Sequence, residues 1–200
     1  MDALIKGITL GLLLAISVGP IVFTVIKQSI ANGHKGGLIF IAGISLSDIL
    51  LVVFSNLFTN LFDLLNAHKK VLAVIASVFL IAVGIFYIFF KKTKVDANGD
   101  VNLQTRHYTK LFVTGFIMNI FNPGIIIFWL TTATTFVGDS VNQRIVIFTT
   151  ALIIALTADV AKVLLASKIR QRMTAKNIHL VNQVNGIVLV AFGVFIIFFG

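Results

Sequence analysis

A few polar and helix-breaking residues stand inside long apolar stretches of this sequence, and their types suggest chemistry. Asp48 lies near the centre of the apolar run 37–61, and at helical spacing Ser45, Asp48, Ser55 and Thr59 share one stripe. A carboxyl at such a depth can hold a proton or an ammonium group and release one when the other arrives. The bland alternative is a structural, hydrogen-bonded aspartate. Asp159 and Lys162 stand three apart in a later run, so they face the same way and can pair. That pair reads either as structural or as a gate in which Lys162 receives a carboxylate while Asp48 takes an amine.

Two prolines mark breaks. Pro20 sits inside the first apolar run behind Ser17-Val18-Gly19, and Pro123 sits near the middle of the fourth with Asn119 and Asn122 beside it. A proline removes a backbone donor and clashes with the carbonyl four residues back, so each helix must kink or unwind there. Backbone groups freed within a membrane are tolerated only where protein or a water-lined cavity satisfies them. Half-helix ends also carry partial charges that suit a carboxylate or a cation. A plain packing kink is the competing reading, weaker for two prolines at matching places than for one.

The elements that position these residues follow from composition. The chain has 200 residues, 58% hydrophobic and 12% charged, with a mean hydropathy of +1.04. A soluble globule carries about 25% charged residues, so this chain lacks the charge to cover a water-facing surface. Six apolar runs are apparent: Leu4–Ile26, Gly37–Leu61, Val71–Phe90, Leu111–Phe136, Ile145–Ala166 and Val181–Phe199. A membrane helix needs about 20 apolar residues, which each run approaches. The runs do not alternate as barrel strands do, so helices are the remaining way to cross lipid. The expectation is an all-α membrane protein with six transmembrane helices, inserted in a bacterial inner membrane. The start, Met1-Asp2-Ala3-Leu4-Ile5-Lys6, leads into a run too long for a signal-peptide core and reads as a retained first helix.

Charge placement sets an orientation. Lys27, Lys35, Lys91, Lys92, Lys94, Arg106, Lys110, Lys168, Arg170, Arg172 and Lys176 belong to the first, third and fifth loops. Only Lys6, Lys69, Lys70 and Arg144 lie on the other side. The positive-inside bias therefore puts the odd loops in the cytoplasm and both termini outside. The net charge of +9 is spread over these short loops, where it meets anionic lipid head groups; no basic domain exists to bind nucleic acid. The chain has no cysteine, so no disulfide or thiolate metal site is expected. His34, His68, His107 and His179 lie in or beside loops and far apart, a poor basis for a metal site. Asn182, Gln183 and Asn185 read as the polar start of the sixth helix, and Thr131, Thr132, Thr134 and Thr135 as helix-end residues or the lining of a path. Trp129 and Tyr87 read as interface anchors.

The halves of the chain resemble each other. Residues 78–90 and 187–199 align at an offset of 109, with Leu, Ala, Gly, Phe, Ile, Phe and Phe repeated. Asp48 falls against Asp159 at an offset of 111, and Gly19-Pro20 against Asn122-Pro123 at an offset of 103. Leu51 stands where Lys162 would fall, so the halves differ there. Each half holds three runs, so the second enters the membrane the opposite way. The division is a first three-helix repeat at 1–90, a cytoplasmic connecting loop at 91–110 and a second repeat at 111–200. Inverted repeats with broken helices are an architecture of secondary transporters, with a site near mid-membrane.

At these residues the chain resembles the lysine-exporter (LysE/RhtB) family over nearly its whole length. Gly19-Pro20, Gly33, Gly36-Gly37 and Ala42-Gly43-Ile44-Ser45-Leu46-Ser47-Asp48 are similar to the family's Gly-Pro, spaced glycines and Gly-x-x-x-Gly-Asp segment. Asn122-Pro123, followed by Phe128, resembles its Asn-Pro signature. The chain departs from the common pattern at Ile21, Ser47 and Gly124. The resemblance implies export of amino acids or related small metabolites driven by the proton-motive force.

The reading is thus an exporter rather than an enzyme, needing no cofactor, with an amino acid, protons and the bilayer as partners. Its path is expected to use Ser17, Gly19, Pro20, Ser45, Asp48, Asn119, Asn122, Pro123, Asp159 and Lys162. Repeats this small often pair, which makes a homodimer an option. Divalent-metal efflux would want clustered Cys, His or carboxylates. A lipid-modifying enzyme would want acids, His or Arg converging at one interface. Neither pattern is present.

Overall fold

The computed structural model describes residues 1–16, 20–57, 69–89, 105–170 and 175–199. All regular structure among them is helical. The elements are α1 (Asp2–Ile16), α2 (Pro20–Leu57), α3 (Lys69–Phe89), α4 (Thr105–Ile120), α5 (Pro123–Thr135), α6 (Val141–Arg170) and α7 (Ala175–Phe199). Ser17, Gly19 and Thr59, and the segment 91–104 of the connecting loop, lie outside the described residues.

The first two apolar runs do not flank an open loop. Helix continues from Pro20 to Leu57 and is interrupted at Gly33, whose φ is 70° and ψ −179°. That backbone conformation is open in practice only to glycine. Around it the chain doubles back, for the ideal Cβ of Gly37 would collide with the Ser29 side chain. In an unbroken helix eight residues would separate these two by about 12 Å. Lys27, expected in a solvated loop, is instead wholly buried on the first arm of this hairpin. The turn needs one special residue, and the polar positions on either side of it are helical.

The fourth run breaks where its proline predicts. α4 ends at Ile120, Asn122 caps α5 by accepting from the Gly124 N–H at 3.1 Å, and Pro123 opens the new helix. Proline suits the first turn of a helix, where its missing donor is not needed. α4 and α5 meet at an angle of 59°.

By length and composition, Ile21–Leu57 and Val141–Lys168 can each cross a membrane, and the bent pair α4–α5 makes a third if taken as one span. Shorter apolar helices run over Ser77–Phe86 and Gln183–Ile197.

Helix pairs define the packing. α3 lies along α7, α2 along both α4 and α6, and α1 along α6. The backbones touch at glycines: a Cβ on Gly43 would strike the Phe112 carbonyl, and one on Gly115 the Phe40 carbonyl. Small residues at such contacts are how helices approach closely without a hydrophobic drive between them. The main core joins Val25, Phe40, Ile41, Ile44, Leu80, Met118, Val163 and Leu189. A second joins Val52, Trp129, Ala133, Phe148 and Ala151. Outside, Ile49, Val53, Phe54, Val74, Ile75, Val78, Ile153, Leu164, Leu165, Ile187 and Phe195 are exposed. So much apolar surface facing outward is a lipid-facing pattern.

Candidate functional site

Asp48 is held where α2, α4 and α5 meet. Its Oδ1 accepts from Asn119 Nδ2 of α4 at 2.8 Å and from Trp129 Nε1 of α5 at 3.0 Å. The break at Asn122-Pro123 brings these two donors, ten residues apart, onto one oxygen. Asn119 Nδ2 also lies 2.6 Å from Ser47 Oγ and 3.3 Å from the Ile44 carbonyl. Ser47 donates in turn to that carbonyl at 2.8 Å. Asn119, Ser47 and Trp129 are at most 1% exposed. Two amide hydrogens thus face three acceptors, a network tight enough to fix where the carboxyl sits.

All of these partners are neutral. A charged Asp at bilayer depth costs about 2.5–3.5 kcal/mol on insertion scales, and a hydrogen bond to a charged group returns about 1.5–3 kcal/mol. Two such bonds offset the cost without a counter-ion. Both donors go to Oδ1, so among the described residues Oδ2 is left for an exchangeable group.

Trp129 does not anchor at an interface as its residue type suggests. It is wholly buried, edge-on to Phe128 with centroids 5.1 Å apart and tilted against Phe148 at 6.1 Å. A buried indole N–H needs an acceptor, and Asp48 supplies it. The sequence carried one signal of this, the lone tryptophan next to the Asn-Pro break. Tyr87's side chain lies outside the described residues.

The other expected residues are placed unevenly. Asp159 Oδ1 and Lys162 Nζ are 2.8 Å apart on α6, each side chain about a fifth exposed. Ser45 is half-buried one turn before Asp48, and Ser55 is buried two turns after it. Asn122 caps α5 and takes no part in the Asp48 network. Pro20 begins α2, and Pro123 begins α5.

A shallow, open groove of about 330 Å³ is lined by Leu10, Phe128, Thr131, Thr132, Thr135 and Phe136. It neighbours Trp129 through Phe128. Thr132 and Thr135 return their hydroxyl protons to the carbonyls of Phe128 and Thr131, both at 2.7 Å, so they face the groove as acceptors. At its rim Lys6 Nζ bridges Asp2 and Asp139 at 2.9 and 3.0 Å and stands 5.4 Å from the centroid of the Phe136 ring. Among the described residues no group of three His, Cys, Asp or Glu side chains can hold a metal ion.

The model of the LysE type translocator family matches residues 12–200. The chain belongs to that family. This LysE type translocator is a membrane protein with helical spans. It is 26% identical over 204 residues to a Bacillus subtilis (strain 168) protein described as "putative amino acid efflux protein YcgF", covering 96% of this chain and 94% of that protein. No solved structure matches it. The matched region spans the hairpin at Gly33, the Asn-Pro break and all of the Asp48 partners, so the whole site lies within the translocator's family domain.

Proposed function

We propose that the protein exports amino acids or related small metabolites from the cytoplasm across the bacterial inner membrane, by antiport against protons. The observation that carries this reading is the half-buried Asp48 carboxyl, packed against the α4–α5 break and bound among the described residues by neutral donors alone. The Bacillus relative's description supports amino acids as cargo.

In this cycle Asp48, as a carboxylate facing the cytoplasm, takes the substrate ammonium through Oδ2. The site then opens outward, a proton from outside protonates the carboxyl, and the ammonium leaves. The neutral carboxyl returns and loses its proton to the cytoplasm. Trp129 and Asn119 keep Oδ1 fixed throughout, so exchange at Oδ2 needs no rebuilding of the site. Asp159 and Lys162 act as the orienting or gating pair, each neutralising the other while the path is shut.

The same proposal takes residues 1–90 and 111–200 as inverted repeats with both termini outside. Three relations support it. α5 has 13 residues from its proline, and the arm of α2 from Pro20 to the residue before Gly33 is equally long. A Cβ on Gly84 would meet the Gly186 carbonyl at 2.7 Å, and one on Gly193 the Ser77 carbonyl at 2.9 Å. These two contacts exchange under the offset of 109. Finally, α1 packs on α6 as the second arm of α2 packs on α4, again a matched pair of partners.

The test is transport by purified protein in liposomes loaded with labelled amino acids, under an imposed pH gradient. Gradient-dependent loss of one class of amino acid is expected, and its absence from Asp48→Asn. Export indifferent to the gradient would remove the proton role.

A further inference from the structure

The groove beside Trp129 has walls of a definite kind. Phe128, Thr131, Thr132 and Thr135 recur at helical spacing on one face of α5, and Leu10 of α1 and Phe136 complete the lining. α1 packs on α6, so the groove is the gap left between α1 and α5. Its inner end adjoins the carboxyl. Phe128 stands edge-on to Trp129 with centroids 5.1 Å apart, and that indole donates to Asp48 Oδ1 at 3.0 Å. Leu10 and Phe128 also pack against the core cluster that holds Trp129. The other end lies at Phe136, about 12 Å along α5 by helical rise, beside the Lys6 ammonium. With both termini outside, as proposed above, that is the outer end.

No ionisable side chain lines the groove. The charges at its rim, Lys6, Asp2 and Asp139, are joined to one another. What the walls offer is apolar carbon from Leu10, Phe128 and Phe136, together with hydroxyl oxygens. Thr132 and Thr135 give their protons to backbone carbonyls, so these oxygens can only accept. A crevice for an acyl chain needs no acceptors, and the outward-facing positions Ile49, Val53, Val78, Ile153, Leu165 and Phe195 supply none.

We propose that this groove is the release subsite of the exporter and that it selects amino acids with an uncharged, apolar side chain. The inference rests on the export reading above and names its cargo. The side chain lies against Leu10, Phe128 and Phe136. The ammonium leaving Asp48 passes to the Thr132 and Thr135 hydroxyls, which accept from it but hold it less tightly than a carboxylate does. A lysine or arginine side chain would bring a second cation against walls that hold no carboxylate to receive it. A volume of about 330 Å³ is at the small end of ligand sites, about 300–1,000 Å³, and suits a single amino acid.

The experiment is competition among labelled leucine, alanine and lysine in proteoliposomes under an imposed pH gradient. Wild type is expected to prefer leucine to alanine about tenfold and to exclude lysine. Thr135 is exposed at the groove, so changes there spare the core. Thr135→Phe fills the groove and is expected to lower leucine export about tenfold through KM, with alanine little changed. Thr131→Phe, exposed on the same face, serves if that variant does not insert. Thr135→Asp adds a carboxylate to the wall and is expected to admit lysine. Lysine exported by the wild type as well as leucine would overturn the inference and leave the export reading standing. So would lysine still excluded by Thr135→Asp, or a leucine-to-alanine ratio unchanged by filling the groove, the result expected of a crevice that lodges only an acyl chain. A wild type that carries no amino acid overturns the export reading first, before any variant is compared.

Discussion

Trp129 donates its indole N–H to Asp48 Oδ1 across 3.0 Å, joining a helix that begins after a proline break to the middle of another. The bond fixes the ring and the carboxyl together. Trp129→Phe keeps most of the packing against Phe128 and Phe148 but removes the donor. The protein should insert normally and lose about 1.5–3 kcal/mol of stability. Export rate should fall about tenfold, read in proteoliposomes beside a thermal melt. An unchanged rate would mean that the donor serves folding only.

Asp48→Asn cannot exchange a proton. Its export should no longer respond to a pH gradient, while an insertion assay reads as wild type. A variant still driven by the gradient would move the proton site elsewhere.

Asn119→Leu should be the most damaging change at the site. It removes the donor that Ser47 and Asp48 share, leaving the buried Ser47 Oγ with none, at about 1–3 kcal/mol for the unsatisfied group, and Asp48 with Trp129 alone, a further loss of about 1.5–3 kcal/mol. The measurement is a thermal melt in detergent, expected to fall further than that of Trp129→Phe.

For Asp159 and Lys162, either single neutral substitution leaves a partly buried charge alone. Asp159→Asn with Lys162→Met together should retain more folded protein than either alone, a coupling that a double-mutant cycle reads directly. Additive effects would show that the pair contributes nothing as a pair.

Gly33→Ala forces a side chain into a backbone region that holds glycine in practice, at about 1–3 kcal/mol. Gly36→Ala, where the backbone angles are ordinary but the new carbon would run into Asn32 Cβ, should lose stability through crowding alone. Comparing their melts separates strain at the turn from crowding near it.

Much of this was legible in the sequence because lipid leaves few options. Long aliphatic runs with Pro20 and Pro123 inside them predict broken helices, and α5 begins at Pro123 with Asn122 as its cap. Asp48 announced itself by its cost. Asn119 stood out beside the Asn-Pro break, but its bond and that of Trp129 to Asp48 did not, because a tertiary hydrogen bond between residues 71 and 81 positions apart leaves no periodic trace. Lys27 was misread for a related reason. Charge counting assumes that a cation near the end of an apolar run is in water, and the one-residue turn at Gly33 left no loop to hold it.

That turn has a mechanical consequence. Two helical arms joined through a single residue form a pivot with no slack, so any change of angle between them is a twist about one pair of bonds. Asp48 lies 15 residues beyond Gly33, a lever of about 22 Å by helical rise. A swing of about 10° at the pivot would carry the carboxyl roughly 4 Å, more than the length of the bonds that hold it. The bonds from Asn119 and Trp129 at the lever's end therefore hold the angle at Gly33 to within a few degrees, so that the second arm moves only together with α4 and α5.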